Sequence, residues 1–294
     1  MEIKNVFVVG SGLMGGGIAQ VTAFAGYKVK MHDVKEEFTA KGMEAIKDSL
    51  GKFLSKEKIT QEQHDAALAN LTTTTNLEEA SDSDLVVEAV FEDLEVKKDV
   101  FGKLDKICPE HTILATNTSA IPISSIAAAT ARRDKVVGTH FFSPVPLMRL
   151  CEIIRGLETS EETIETAEAW ARSLGKETVL VRKDHAGFIA NRLYSPMGME
   201  AVRMLEAGVA TPEDIDKAMR FGYNLPMGPL ELADMTGLDV SMNAALAIYN
   251  DTGDPKFYPP PLLRRMVASG NLGRKTGRGW YDYSSGKQEN YWQL

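Results

Sequence analysis

The chain has 294 residues, and its 33 Lys and Arg against 41 Asp and Glu give a formal net charge of −8. Hydrophobic residues make up 44% and charged residues 25%, which is typical of a globular chain with a full core and excludes disordered or collagen-like proteins. The acidic balance argues against nucleic-acid binding, because phosphate recognition needs a basic surface. The length predicts one large or two ordinary domains.

The two cysteines, Cys108 and Cys151, form neither a disulfide framework nor a metal-site spacing, so we expect free thiols and no metal. The first residues lack the basic start and apolar core of a signal peptide. No apolar run approaches the roughly 20 residues that span a bilayer. We therefore expect a cytoplasmic protein that does not bind membranes.

The first half of the chain alternates short β-branched runs with helical patterns, which predicts βαβ units and a mainly parallel sheet. The predicted strands are residues 6–9, 28–32, 85–88, 113–116, 136–140, 152–154 and 178–181. The polar stretch 36–70 is predicted as two helices. Ser160 is a good N-cap for a further helix that Gly175 ends.

After about Asp184 the strand pattern stops, and residues 188–207, 211–221 and 228–249 are predicted as helices. The predicted architecture is a doubly wound α/β domain over residues 1–184, with a helical arm at about 36–70. A smaller all-helical domain follows over residues 185–294.

A glycine-rich turn directly follows the first predicted strand and opens a helix-compatible stretch. Its residues are Gly10, Ser11, Gly12, Leu13, Met14 and Gly15. In a dinucleotide-binding (Rossmann) turn, such glycines allow a tight bend, close approach of a pyrophosphate and close helix–strand packing. The helix N-terminus then offers N–H groups to the phosphates. A purely structural glycine turn is the alternative.

Asp33 lies 18 residues beyond Gly15, at the end of the second predicted strand. A carboxylate there accepts hydrogen bonds from a ribose diol and repels a 2′-phosphate. Because no arginine follows Asp33 immediately, the sequence favours NAD over NADP.

Among the five histidines, His140 has the position of a catalytic base, because it ends a predicted strand and open α/β sheets bind ligands at such ends. Glu152 opens the next apolar run, and a buried carboxylate needs a partner. A His140–Glu152 pair would fix the imidazole tautomer and raise the basicity of the ring. Alternatively, Glu152 caps a strand at the surface and His140 is a packing residue.

Several motifs occur together and in order. They are Gly10–Gly15, Asn117-Thr118-Ser119, His140-Phe141-Phe142-Ser143-Pro144, Glu152, residues 184–192 and residues 273–277. With them the whole chain resembles the L-3-hydroxyacyl-CoA dehydrogenase family, most of all its single-function bacterial members. The resemblance implies NAD-dependent interconversion of (S)-3-hydroxyacyl-CoA and 3-oxoacyl-CoA, with short acyl chains, in fatty acid and butanoate metabolism. It also implies a homodimer or larger homo-oligomer, with an interface in the helical domain.

The same resemblance assigns His140 as the catalytic base and Glu152 as the residue that orients it. Ser119 and Asn191 would hold the reacting oxygen and the thioester end of the substrate. From the residues alone, Ser119 is also a plausible helix cap and Asn191 a plausible surface residue of a helix.

The resemblance also implies cofactor and CoA contacts. It places the nicotinamide end of NAD near Glu92, Lys97, Ser119, Ser143 and Lys275, and the CoA near Ser49, Lys52, Lys56 and Ser119. Ser143 stands where the family usually has Asn, and a hydroxyl reaches less far than an amide. Solvated helix faces would explain Glu92, Lys97 and the arm lysines equally well. The spacing of Ser49, Lys52 and Lys56 does place them on one helix face.

Two other functions remain open on the sequence. A 3-hydroxy-acid dehydrogenase acting on free acids would use a lysine as its catalytic group and would not need the arm. A catalytically idle NAD-binding sensor or structural protein is the second, and the complete set of His140, Glu152, Ser119 and Asn191 argues against it.

Overall fold

The computed structural model describes residues 2–292, and the chain divides after Asp184 into two compact units. The residues up to Asp184 are called the N-terminal unit below, and those from His185 onward the C-terminal unit.

The N-terminal unit contains one eight-stranded sheet in the order β3-β2-β1-β4-β5-β6-β7-β8. The strands are β1 (Asn5–Val9), β2 (Lys28–His32), β3 (Leu71–Thr74), β4 (Leu85–Glu88), β5 (Ile113–Thr116), β6 (Val136–Phe141), β7 (Leu150–Ile154) and β8 (Glu177–Val181). All neighbours run parallel except β6 and β7. The strand order reverses at β1 and β4, so the predicted doubly wound sheet is confirmed.

Six helices complete this unit: α1 (Leu13–Phe24), α2 (Glu36–Ser55), α3 (Gln61–Ala69), α4 (Leu94–Ile107), α5 (Ile123–Ala127) and α6 (Glu161–Ser173). The pair α2 and α3 matches the helices predicted for the polar stretch. The Ser160 side chain accepts a hydrogen bond from the Thr163 N–H at 3.2 Å, as expected for the N-cap of α6.

The strand β3 is missing from the sequence prediction. It consists of Leu71 and three threonines, of which only Leu71 is buried, and it lies at the edge of the sheet. Threonine favours strands, but an edge strand has no need of the apolar run on which the prediction relied.

The core of the N-terminal unit lies between the sheet and its helices. Val8 of β1, Val87 of β4 and Ala115 of β5 are fully buried in one cluster with Ile18 of α1. These central strands are buried on both faces, which is typical of parallel sheets. The rigid layer fixes the carboxyl ends of β1, β4, β5 and β6 along one edge.

The C-terminal unit is helical, with α7 (Ala190–Glu206), α8 (Pro212–Gly222), α9 (Pro229–Thr236), α10 (Leu238–Thr252) and α11 (Pro261–Ala268). The predicted single helix over residues 228–249 is wrong. Gly237 separates α9 from α10. Its φ of +109° is a backbone conformation that residues other than glycine rarely adopt. Across residues 2–292, none of the helices is both long and apolar enough to cross a membrane.

Two buried carboxylates organise the C-terminal unit. Asp216 accepts hydrogen bonds from Leu230 N–H at 2.9 Å and the Tyr281 hydroxyl at 2.7 Å, and Asp234 accepts from the Trp280 and Tyr281 N–H groups at 2.9 Å each. Burial raises the pKa of Asp234 to about 6, although these backbone hydrogen bonds oppose the change. The two carboxylates therefore fasten the C-terminal segment onto α8 and α9.

Candidate active site

The glycine turn lies between β1 and α1, as predicted. A Cβ on Gly10 would lie 2.6 Å from the Ala89 carbonyl oxygen, and one on Gly15 would lie 1.9 Å from the Gly10 carbonyl oxygen. Both positions therefore require glycine for folding. Gly12 differs, because a Cβ there would meet no atom within 4 Å. It is the N-cap residue of α1 and makes no side-chain cap hydrogen bond.

Asp33 lies at the carboxyl end of β2, beside this turn. Its Oδ2 accepts hydrogen bonds from the Ser11 N–H at 2.9 Å and the Ser11 hydroxyl at 2.8 Å. The open space at Gly12, the uncapped helix start and the nearby carboxylate fit the pyrophosphate and ribose of a dinucleotide.

His140 and Glu152 are hydrogen-bonded to each other. They are direct partners in the antiparallel register of β6 and β7, and residues opposed in this way face the same side of the sheet. The His140 Nδ1 lies 2.7 Å from Glu152 Oε2, and both side chains are buried. Because an ionised carboxylate only accepts, the Nδ1–H donates. The Phe142 ring packs against the imidazole, with centroids 4.5 Å apart.

Ser119 lies in the turn after β5, next to the strand that carries His140. The turn is tied to β6 by Asn117, whose Oδ1 accepts a hydrogen bond from the Phe141 N–H at 2.9 Å. The Ser119 N–H donates to Glu92 Oε1 at 2.8 Å. Ser119 and His140 therefore lie at the ends of adjacent strands, on a backbone held by Asn117 and Glu92.

Lys97 is not part of a solvated helix face. Its side chain is 1% exposed, and its Nζ lies 2.7 Å from Glu88 Oε1 and 3.3 Å from Glu92 Oε2. Glu88 is absent from the residues predicted for the site. The available signal was a carboxylate at the end of an apolar strand, which needs a partner when buried just as Glu152 does at the start of its strand.

The C-terminal unit contains two predicted site residues. Asn191 is half-buried and is the second residue of α7. Lys275 lies in the short turn Arg274–Thr276, flanked by Gly273 and Gly277, both with positive φ. Its ammonium donates to Asp239 Oδ2 at 2.8 Å. Both residues are thus on well-defined elements of their own unit.

The arm residues lie at the end of α2. Ser49 is half-buried, whereas Lys52 and Lys56 are exposed, and Lys56 is the C-cap residue. Ser143 is exposed in the segment after β6. These side chains are accessible for a ligand, and the arm lysines provide local positive charge on an acidic protein.

The described residues 2–292 contain no group of three or more His, Cys, Asp or Glu side chains arranged to hold a metal ion. Cys108 and Cys151 are free and buried, and burial raises the pKa of the Cys108 thiol to about 11. A group with that pKa is not a nucleophile at neutral pH.

Two family models match the chain. The first, described as 3-hydroxyacyl-CoA dehydrogenase, NAD binding domain, covers residues 5–185, and the second, the C-terminal domain of the same enzymes, covers residues 187–283. The chain belongs to the 3-hydroxyacyl-CoA dehydrogenase family. The resemblance inferred from the motifs is therefore confirmed. The residues that match the NAD-binding model include the glycine turn, Asp33 and the His140–Glu152 pair.

Individual relatives agree with this family. The chain is 47% identical to a probable 3-hydroxybutyryl-CoA dehydrogenase of Bacillus subtilis, over 96% of this chain and 98% of the relative. It is 44% identical to the mitochondrial hydroxyacyl-coenzyme A dehydrogenase of Sus scrofa, over 96% and 91%. A crystal structure of (S)-3-hydroxybutyryl-CoA dehydrogenase from Ralstonia eutropha superimposes with a TM-score of 0.92 at 44% identity, covering 96% of this chain and 99% of that one.

Proposed function

We propose that this protein is an NAD-dependent dehydrogenase that interconverts (S)-3-hydroxyacyl-CoA and 3-oxoacyl-CoA, with 3-hydroxybutyryl-CoA and acetoacetyl-CoA as its short-chain pair. The observation that carries the proposal is the buried His140–Glu152 hydrogen bond at 2.7 Å, on the strand beside the Ser119 turn. The names of the relatives support the substrate class.

The proposed chemistry divides between cofactor and protein. Bound NAD would supply the hydride acceptor or donor. His140 moves the proton: with Nδ1–H bonded to Glu152, Nε2 takes the proton of the 3-hydroxyl in oxidation and returns it in reduction. Glu152 stabilises the imidazolium, and general acid–base catalysis of this kind contributes roughly 10²–10⁴-fold to the rate.

The remaining residues bind and orient. Ser119 would donate to the reacting oxygen, and Asn191 would bind the thioester end. The glycine turn and Asp33 would hold the pyrophosphate and the adenosine ribose. Glu92, with Lys97 behind it, Ser143 and Lys275 would support the nicotinamide end. The close hydrogen bonds between Ser11 and Asp33 support this placement of the ribose.

Glu152→Gln is expected to lower kcat by about 10- to 100-fold. The reason is that an amide no longer stabilises the imidazolium that forms when His140 takes up the proton of the substrate. Steady-state rates of the variant and the wild-type enzyme test this expectation. A variant with the wild-type kcat would argue against the pairing as a catalytic feature.

Lys56→Ala, and more so its combination with Lys52→Ala, is expected to raise KM for acetoacetyl-CoA by ~10-fold with kcat nearly unchanged. Loss of charge-assisted hydrogen bonds to CoA phosphates weakens binding but leaves the proton transfer intact. Lys41→Ala is the matched control, because Lys41 lies on the same helix and pairs with Glu37 at 2.6 Å. An unchanged KM in the double variant would place the CoA elsewhere.

A comparative assay of the purified protein separates the alternative functions. We expect NADH oxidation with acetoacetyl-CoA and little with free acetoacetate or with NADPH. Turnover of the free acid alone would identify a 3-hydroxy-acid dehydrogenase, and NADH binding without turnover would identify an idle NAD-binding protein. Assays across acyl lengths then define the chain-length preference.

The family also supports a broader physiological proposal. We propose a homodimer or larger homo-oligomer that uses the C-terminal unit as its interface and acts in fatty acid and butanoate metabolism in the cytoplasm. Light scattering on the purified protein measures its mass against the 32.2 kDa of one chain.

A further inference from the structure

A buried ion pair lies behind the Ser119 turn. Glu88 ends β4 and Lys97 lies near the start of α4, and their side chains are 0% and 1% exposed. Burying two charges is unfavourable before their mutual attraction is counted, and a well-packed apolar pair in the same space is often as stable or more stable. The pair therefore calls for an explanation other than core stability.

Both carboxylate oxygens of Glu88 are engaged. Oε1 accepts hydrogen bonds from the Val90 N–H and from Lys97 Nζ, each at 2.7 Å, and Oε2 accepts from the Thr116 hydroxyl at 2.7 Å. The carboxylate thus joins the loop after β4, the helix α4 and the end of β5. This arrangement fixes the position of the Lys97 ammonium.

Lys97 extends this network to Glu92, whose Oε2 lies 3.3 Å from the ammonium. The other oxygen, Oε1, accepts hydrogen bonds from the Thr118 hydroxyl at 2.5 Å, the Ser119 N–H at 2.8 Å, the Ser119 hydroxyl at 3.3 Å and the Ala120 N–H at 3.1 Å. One carboxylate therefore binds three consecutive residues of the turn. Its other oxygen, Oε2, lies against the buried Lys97 ammonium.

The charge state of Glu92 agrees with this arrangement. The Glu92 side chain is 40% exposed, and the burial of its remaining surface raises its pKa. The Lys97 charge and the hydrogen bonds from the turn outweigh this effect and hold that pKa below its ordinary value. The groups that face Glu92 in the N-terminal unit are Lys97 from α4, with Glu88 behind it, and the hydroxyl and N–H donors of the turn after β5.

We infer that Glu88 and Lys97 are positioning residues for the reaction: they hold Glu92 in place, and Glu92 fixes both the backbone and the hydroxyl of Ser119. Lys97 and Glu88 are too deeply buried to act on the substrate directly, so they act through Glu92. This inference rests on the proposed function, which places Ser119 against the reacting oxygen.

The test compares Lys97→Met, Glu88→Gln and the double variant. The amide of Glu88→Gln can accept from the Val90 N–H and donate to the Thr116 hydroxyl, so the double variant removes both charges and leaves both hydrogen bonds possible. Lys103→Met is the matched control, because Lys103 lies on the same helix in an exposed pair with Asp99 at 2.6 Å. Each protein is measured for thermal unfolding, NADH affinity by fluorescence titration, and kcat and KM for acetoacetyl-CoA across pH.

We expect Lys97→Met to lower kcat by about 10-fold or more and to move its acid limb to higher pH, because Glu92 loses the cation that opposes burial. Adding Glu92→Gln should abolish the pH shift. The double variant should regain the unfolding temperature lost by Lys97→Met but not its kcat or its acid limb. The control should match wild type throughout.

Recovery of both stability and kcat in the double variant would show that the pair is only structural and would overturn the inference. Variants with the wild-type kcat and pH profile, in an enzyme that turns over acetoacetyl-CoA, would overturn it while leaving the proposed function intact. A wild-type protein that binds NADH but does not turn over acetoacetyl-CoA would overturn the proposed function, and this inference with it.

Discussion

Replacing His140 by glutamine is expected to lower turnover of acetoacetyl-CoA by about 10³-fold while NADH affinity stays at its wild-type value. Glutamine can still bond to Glu152, but its side chain neither takes up nor releases a proton near neutral pH. Glutamine is similar in size to histidine, so it can occupy the same buried space between Glu152 and Phe142. Steady-state rates and fluorescence titration with NADH measure the two quantities separately.

His111→Gln is the matched control for this variant. His111 is exposed and contacts Asp84 at 3.3 Å, so its replacement should leave turnover unchanged. Near-native turnover of His140→Gln would refute His140 as the group that transfers the proton. Loss of NADH binding in the same variant would instead indicate that the substitution disturbs the structure at the carboxyl ends of the strands.

Gly12→Ala is expected to weaken NADH binding by about 10- to 100-fold without lowering the unfolding temperature. Gly12 has φ −67°, which alanine adopts freely, and the added Cβ meets no protein atom within 4 Å. The methyl group would therefore occupy only the space in which a pyrophosphate approaches the backbone. The measurements are NADH titration and thermal unfolding.

Alanine substitutions at two other glycines are the controls for this prediction. Gly51 lies in α2, and a Cβ there also meets nothing, so Gly51→Ala should leave NADH affinity unchanged and stabilise the helix by up to about 1 kcal/mol. Gly15→Ala should destabilise the fold, because its Cβ would lie 1.9 Å from the Gly10 carbonyl oxygen. Wild-type NADH affinity in Gly12→Ala would contradict a phosphate site at this turn.

Apolar runs and glycine spacing were sufficient to predict most of the N-terminal unit, because its central strands are buried on both faces. The edge strand β3 escaped prediction because its threonines need no burial. The break between α9 and α10 escaped because periodicity continues across Gly237, while its positive φ is visible only in the structure. Local sequence patterns therefore predict which residues are buried better than they predict where one helix ends and the next begins.

In the candidate site, the residues themselves were easier to predict from the sequence than the contacts between them. The sequence proposed a His140–Glu152 pair but left a surface carboxylate and a packing histidine open as the alternative. Their contact depends on the antiparallel register of β6 and β7, which spacing alone does not determine. Lys97 was placed near the cofactor only by the family resemblance, with a solvated helix face as the alternative. Nothing local in the sequence indicates that Glu88 and Glu92 surround its ammonium. Contacts between residues distant in sequence require the tertiary fold.

The role of His140 in an (S)-specific dehydrogenase is tested by the oxidation of the two enantiomers of 3-hydroxybutyryl-CoA by NAD, followed through NADH absorbance. We expect NADH formation from the (S) thioester with the wild-type enzyme, almost none from the (R) thioester, and almost none from either with His140→Gln. Absence of NADH formation from the (S) thioester, or equal rates for wild type and His140→Gln, would contradict this expectation.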